Sequence, residues 1–178
     1  MSNYSRRLIM SVAAVFMAAG VQVGVAGAAT LDLPDGSKLD LSVACPVCEM
    51  KLESSVVGQA AIVFADGKVV GFDGPGDLFR YFLAPDKYHF DPKNIKHLFV
   101  TEYGTKKFLD AKQAFFVVGS ELSGEMGPEL AAFSTKEAAE KFKTDHKGKN
   151  VVAFSAVTPD DLVIKKKKMK MEHGSGKH

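Results

Sequence analysis

Short apolar blocks separated by turn residues make up most of the chain beyond its N-terminal third. In the first half, 59–65 and 68–72 flank Asp66-Gly67, a dipeptide typical of a tight β-hairpin. Apolar side chains at helical spacing between Pro75 and Pro85 predict a helix, and 97–103 returns to a strand pattern. This half is therefore predicted to fold as strand, strand, helix, strand.

The second half repeats the same order. Strands are predicted at 114–118, 130–133 and 151–157. Before the last of them, 134–137 has the spacing of a capping box and opens a helix that ends near Gly148. The pattern predicts an α+β fold of two ββαβ repeats, 59–109 and 110–164, with antiparallel sheets and one helix per repeat.

The two repeats differ at one turn. Where the first has Asp66-Gly67, the second inserts 120–128, which contains Met126 between flexible glycines. Since a longer loop adds nothing to the stability of a hairpin, the insertion is expected to have a function. The alternative is a tolerated surface loop whose methionine packs against the body as a gap filler.

The N-terminal segment, 1–28, resembles an export signal. Two arginines precede a long apolar run, which ends in the small residues Ala26-Gly27-Ala28. We predict cleavage after Ala28 and a periplasmic mature protein, with a retained membrane anchor as the alternative. Residues 29–58 are predicted to combine a polar linker, 29–44, with a CxxCxM metal-binding segment.

The charge distribution separates the body from the tail. The formal net charge is +2, but the lysines of 165–178 supply the basic excess, and the body is net acidic. We predict a disordered tail rich in Lys, Met and His, with weak contact to anionic membrane surfaces. A nucleic-acid partner is not expected in an exported protein, and we expect a monomer.

Cys45 and Cys48 are the only two cysteines, and the thioether of Met50 follows two positions later. Four interpretations are open: a thiol redox pair, part of a structural zinc site, a disulfide, and a Cu(I) site. A redox pair normally opens a helix, and a structural zinc site lacks its remaining ligands here. In the Cu(I) interpretation, Met50 or Met126 adds a soft neutral ligand to the two thiolates.

Other chemistry has weaker support in the sequence. His89, His97 and His146 are expected to be structural or solvated, and Asp73 and Asp77 are explained by capping of the first helix. Neither a catalytic triad pattern nor a phosphate loop is found in the sequence. We therefore expect a carrier and no enzyme.

Three stretches together resemble the NosL family of copper accessory proteins for nitrous oxide reductase. They are Cys-Pro-Val-Cys-Glu-Met at 45–50, Phe-Asp-Gly-Pro-Gly-Asp-Leu-Phe at 72–79 and Met-Gly-Pro-Glu-Leu-Ala-Ala-Phe at 126–133. The resemblance implies a fold of two ββαβ repeats, related in topology to organomercurial lyase, that binds one Cu(I). It implies Cys48 and Met126 as the leading copper ligands, and Cys45 and Met50 as further members of the motif.

The resemblance also implies a function. It predicts a periplasmic Cu(I) metallochaperone, with nitrous oxide reductase or its maturation machinery as the partner. One alternative is a periplasmic thiol-disulfide redox protein that uses the two cysteines. Another is a binding module that recognises a protein through 120–128.

The chain departs from the family pattern at two positions. Glu49 stands where the family motif has glycine, which predicts a restricted backbone after Cys48 or a carboxylate beside the metal. Ala29 stands where family members have a lipid-anchored cysteine after the signal. We therefore expect a soluble periplasmic protein.

Overall fold

The computed structural model describes residues 29–52, 58–124 and 126–163. The predicted export signal and the lysine-rich tail lie outside these residues. Across the part that is described, every helix is too short or too polar to cross a membrane.

Two strands precede the cysteines. β1 (Thr30–Asp32) and β2 (Lys38–Asp40) pair as an antiparallel hairpin. The prediction of a linker is wrong for this stretch, because Leu33 and Leu39 are only 4% and 1% exposed and belong to the main core. In β2 a single leucine stands between two charged residues. This alternation of apolar and polar positions is too short to be recognised as a strand among its polar neighbours.

The first sheet has four antiparallel strands in the order β4-β3-β5-β6. Its elements are β3 (Ala60–Phe64), β4 (Val69–Phe72), α1 (Pro75–Phe82), α2 (Pro85–Tyr88), β5 (Ile95–Thr101) and β6 (Phe108–Asp110). Gly67 takes a φ of 86° in the predicted turn between β3 and β4, a conformation that favours glycine. The four-residue α2 is a second helix in this half, where one was predicted.

The second sheet has three antiparallel strands in the order β10-β7-β11. The elements of this half are β7 (Phe115–Val118), β8 (Ser123–Gly124), β9 (Gly127–Pro128), β10 (Ala131–Phe133), α3 (Lys136–Asp145) and β11 (Asn150–Ala153). The predicted capping box at 134–137 is wrong in register. Thr135 is the N-cap and accepts from Ala138 N, while Ser134 donates to Glu102 instead.

In both sheets a first strand lies between its hairpin partner and the strand that follows the helix. The prediction of an α+β fold with antiparallel sheets is confirmed. The two halves share one core, in which Phe79 of α1 meets Phe116 of β7 edge to face at 5.0 Å between ring centres. A parallel bridge from Glu102 to Ala132 joins the sheets at their edges. Helix α1 therefore lies where both halves can reach it.

Candidate metal centre

The two cysteines lie in a tight loop that its own backbone closes. Cys45 N donates to Met50 O, and Glu49 N donates to Cys45 O, both at 2.9 Å. Ala44 and Lys51 form an antiparallel bridge across the base of the loop. Just beyond it, Leu52 is fully buried against Gly71 of β4, where any larger side chain would collide with it. The loop is thus anchored to the first sheet.

Glu49 adopts the left-handed conformation in this loop, with φ of 63°. Glycine adopts this conformation without strain, whereas other residues are disfavoured there by roughly 1–2 kcal/mol. The predicted restriction of the backbone after Cys48 is therefore observed as strain. The loop keeps the shape that a glycine motif would give it, and the Glu49 side chain is exposed.

Both cysteines are free thiols, and Asp77 lies beside them. The ligand atoms of Cys45, Cys48 and Asp77 all lie within 4.8 Å of one another. Cys45 Sγ donates to Asp77 Oδ2 at 3.4 Å, and the other carboxylate oxygen accepts from Arg80 Nη1 at 2.9 Å. Three groups that could hold one metal ion therefore converge where the cysteine loop meets the first turn of α1.

The protonation of the thiols follows from their surroundings. Burial raises the pKa of the Cys45 thiol, although backbone N–H groups of Cys48, Asp73 and Val47 act against this by hydrogen bonding to its sulfur. Burial and then hydrogen bonding to Asp77 raise the pKa of the Cys48 thiol well above its ordinary value. Both cysteines are thus protonated near neutral pH in the absence of metal.

Backbone donors make this a suitable cradle for thiolates. The N–H groups that lower the pKa of Cys45 already point at its sulfur, and the N–H of Met50 does the same for Cys48. Hydrogen bonds of this kind stabilise metal-bound thiolates and orient them. When a soft cation replaces the protons, the backbone therefore needs no rearrangement to support both sulfurs.

The insertion that carries Met126 is a small hairpin of β8 and β9. Met126 is 51% exposed at its tip, so the alternative of a gap-filling methionine does not hold. The base of this hairpin is bound to α1, since Arg80 Nη2 donates to Pro128 O at 2.9 Å. The structure thus ties the hairpin to the helix that carries Asp77, and the approach of Met126 to Cys48 stays a prediction.

The remaining candidates differ in exposure and partners. Met50 is 38% exposed, and its backbone takes part in closing the cysteine loop. His97 stacks on Phe99 and lies 4.0 Å from an Asp35 oxygen, and His146 stacks on Phe142. The two histidines thus have aromatic partners away from the cysteines, while His89 is exposed.

Asp77 is the site residue that the sequence did not reveal. It was predicted to complement the dipole of α1, and it does lie in the first turn. Yet it is only 3% exposed, and a buried acid needs a partner. The available signal was Arg80 three positions later, which can pair with it on the same helical face.

Comparisons with known proteins agree on one family. The family model named NosL matches residues 37–162, more than two thirds of the chain. The copper-binding lipoprotein NosL of Stutzerimonas stutzeri is 28% identical over 138 residues, which cover 73% of this chain and 68% of that protein.

The chain is also similar to solved structures. The crystal structure of the copper chaperone NosL from Shewanella denitrificans has a TM-score of 0.58 and 28% identity, covering 68% of this chain and 93% of that one. The solution structure of apo-NosL from Achromobacter cycloclastes has a TM-score of 0.45 and 25% identity, covering 65% of this chain and 94% of that one. From its sequence and its fold, this chain belongs to the NosL family.

Proposed function

We propose that this protein is a periplasmic Cu(I) metallochaperone that delivers copper for the assembly of the copper centres of nitrous oxide reductase. The observation that carries the proposal is the convergence of two free thiols with Asp77, within 4.8 Å, in a loop of backbone donors. The names of its relatives, a copper-binding lipoprotein and a copper chaperone, support copper as the cargo.

The donor set favours a soft, monovalent metal. Thiolate and thioether sulfurs prefer Cu(I), and the hairpin and the cysteine loop each have an exposed thioether, Met126 and Met50. In the proposed complex, Cys45 and Cys48 lose their protons to solvent as Cu(I) binds. Met126 supplies a neutral third sulfur. Two thiolates already outweigh the single charge of Cu(I), so the Asp77 carboxylate stays paired with Arg80 and is not needed to neutralise the ion.

Exposure of the thioethers suits a carrier. A partner can replace Met126 first, because this side chain is exposed and carries no charge, while the thiolates of buried Cys45 and half-buried Cys48 keep hold of the copper. The thiolates are displaced afterwards, one at a time. Such stepwise exchange lets copper pass to the partner without being released into water.

The direction of the thiol pKa values argues against the redox alternative. A reactive redox cysteine has a lowered pKa, because the thiolate is the nucleophile. Here burial and Asp77 raise the pKa of Cys48, and burial raises that of Cys45. The thiols are therefore better suited to exchange a proton for a metal ion than to attack a disulfide.

A Cu(I) competition titration tests the proposal. The reduced protein, residues 29–178, is titrated with Cu(I) against a chromogenic chelator, together with Cys48→Ser and Met126→Leu. We expect one Cu(I) per chain, bound tightly by the wild type and less tightly by each variant. Failure of the wild type to take copper from the chelator would refute the chaperone.

Delivery needs a separate test. Copper-loaded protein is mixed with copper-free nitrous oxide reductase or with the periplasmic part of its maturation machinery, and the metal content of each is measured after separation. We expect copper to move to the partner faster than it moves to a chelator of equal affinity. Equal rates would mean release into solution and would contradict delivery by contact.

A further inference from the structure

Arg80 joins three parts of the molecule. Its guanidinium donates from Nη1 to Asp77 Oδ1 at 2.9 Å, and from Nη2 to Pro128 O at 2.9 Å and Leu162 O at 3.1 Å. The first contact belongs to the thiol cluster and the second to the base of the methionine hairpin. One planar guanidinium therefore links the two parts of the proposed site, the thiol cluster and the methionine hairpin.

Glu129 makes the second link. It follows the hairpin directly, is only 4% exposed, and its Oε1 accepts from Gly76 N in the first turn of α1 and from Leu130 N. An added Cβ at Gly76 would stand 2.5 Å from Glu129 Oε1 and 2.9 Å from Arg80 Nη1, so both side chains would have to shift. The Glu129 and Arg80 side chains thus fill the space between the hairpin and the helix.

A role in stability alone does not explain this carboxyl. Burial raises the pKa of Glu129 to about 7, so the fold works against its charge near neutral pH. Its oxygen is nevertheless held in this place as the acceptor for two N–H groups, that of Gly76 in α1 and that of Leu130 after the hairpin. The geometry suggests that Glu129 is kept for where it places the hairpin.

We propose that Arg80 and Glu129 form a clasp that positions the methionine hairpin against the thiol cluster, so that copper affinity depends on both through Met126. This inference rests on the proposed function. Neither residue is a ligand in this scheme. Arg80 acts by fixing the backbone at Pro128, and Glu129 acts by fixing it at the next residue. Both positions lie within three residues of the Met126 thioether.

A double-mutant cycle on copper affinity tests the clasp. Glu129→Ala removes the carboxyl, Glu129→Gln keeps an oxygen that can accept from Gly76 N, and Met126→Leu removes the thioether. Because supporting residues typically contribute 10–100-fold to metal affinity, we expect Glu129→Ala to weaken Cu(I) binding about tenfold. In the Met126→Leu background the same change should have no further effect, and Glu129→Gln should remain close to wild type.

Two further variants keep the result interpretable. Arg80→Lys retains the positive charge beside Asp77, but a single ammonium cannot reproduce the planar arrangement of donors, so it should behave like Glu129→Ala. Glu102→Ala is the matched control, since Glu102 also accepts from a backbone N–H, that of Ser134, and makes its contacts outside the clasp. It should leave copper affinity unchanged.

The outcomes separate the clasp from the function. If Met126→Leu weakens binding while Glu129→Ala and Arg80→Lys do not, the clasp is refuted and the chaperone stands. Losses that add in the double variants also refute it, because a general structural effect does not depend on Met126. A wild type that binds no Cu(I) refutes the proposed function, and the positioning role falls with it. Circular dichroism of each variant confirms that comparisons are made between folded proteins.

Discussion

Cys45 is 1% exposed in a loop held by its own backbone and by Leu52, whereas Met126 is 51% exposed at the tip of a two-strand hairpin. The first arm brings two sulfurs together within 4.8 Å before any metal arrives. The second offers one sulfur and is bound to α1 at its base. In the proposed complex, the cysteine loop retains the ion and the methionine of the hairpin is displaced first.

This contrast assigns different tasks to ligands of similar softness. A preorganised pair of thiols gives affinity, because little has to be ordered when copper binds. An exposed thioether gives access, since a partner's ligand can approach where it leaves. The experiments below are chosen to separate retention by the thiols from access at the hairpin.

The largest effect is expected from loss of a thiol. Cys48→Ser leaves a hydroxyl, a poor ligand for Cu(I), and should weaken binding by more than about 100-fold, beyond the range of supporting residues. The competition titration measures it, with Ser123→Ala in the hairpin as a control for substitution near the site. A loss no larger than that of Met126→Leu would contradict the assignment of retention to the thiols.

Affinity should also depend strongly on pH. Since the pKa values of both thiols are raised, two protons leave when Cu(I) binds, and the apparent Kd should fall about 100-fold for each unit of rising pH around neutrality. In Cys48→Ser the fall should be about tenfold per unit, because one proton leaves. A tenfold slope in the wild type would mean that a single thiolate binds the ion.

Asp77→Asn changes the thiols without removing one. Loss of the carboxylate charge removes a cause of the raised pKa of Cys48 and of Cys45, so both pKa values should fall towards the ordinary range. Alkylation by iodoacetamide near neutral pH should then become faster, because the thiolate is the reacting form. Asp86→Asn, an exposed acid on α2, is the control. An unchanged rate would show that Asp77 does not act on the sulfurs.

The smallest effect concerns the loop itself. Glu49→Gly relieves the left-handed conformation at φ of 63° but makes the unfolded chain more flexible, so a net gain of about 0.5–1 kcal/mol in unfolding free energy is expected. Urea unfolding measures it. As a comparison, Glu137→Gly within α3 should lower the free energy of unfolding by about 1 kcal/mol. Destabilisation by Glu49→Gly would contradict strain at this position.

The sequence predicted the elements whose signals are local. The turn at Gly67, the helix after Pro75 and the strand of β7 follow from spacing and turn residues within a few positions. The cysteines could be recognised for the same reason, because all the atoms that close their loop lie within 44–51. Signals of this kind can be detected in a single sequence.

Contacts made over long distances in sequence could not be predicted in this way. Asp77 lies 32 positions from Cys45, and Glu129 lies 53 positions from Gly76, so their roles depend on how the two sheets pack. From its neighbours in sequence alone, Asp77 cannot be distinguished from any other acid in the first turn of a helix. β2 was missed for a different reason, since one buried leucine among charged residues gives too weak a period to detect.

The most direct test asks whether the two arms meet at one ion. X-ray absorption at the copper edge is measured on Cu(I)-loaded wild type, Met126→Leu and Met50→Leu, in protein held at one copper per chain. We predict three sulfur neighbours in the wild type and in Met50→Leu, and two in Met126→Leu. An unchanged sulfur shell in Met126→Leu would contradict the claim that Cys48 and Met126 bind the same copper.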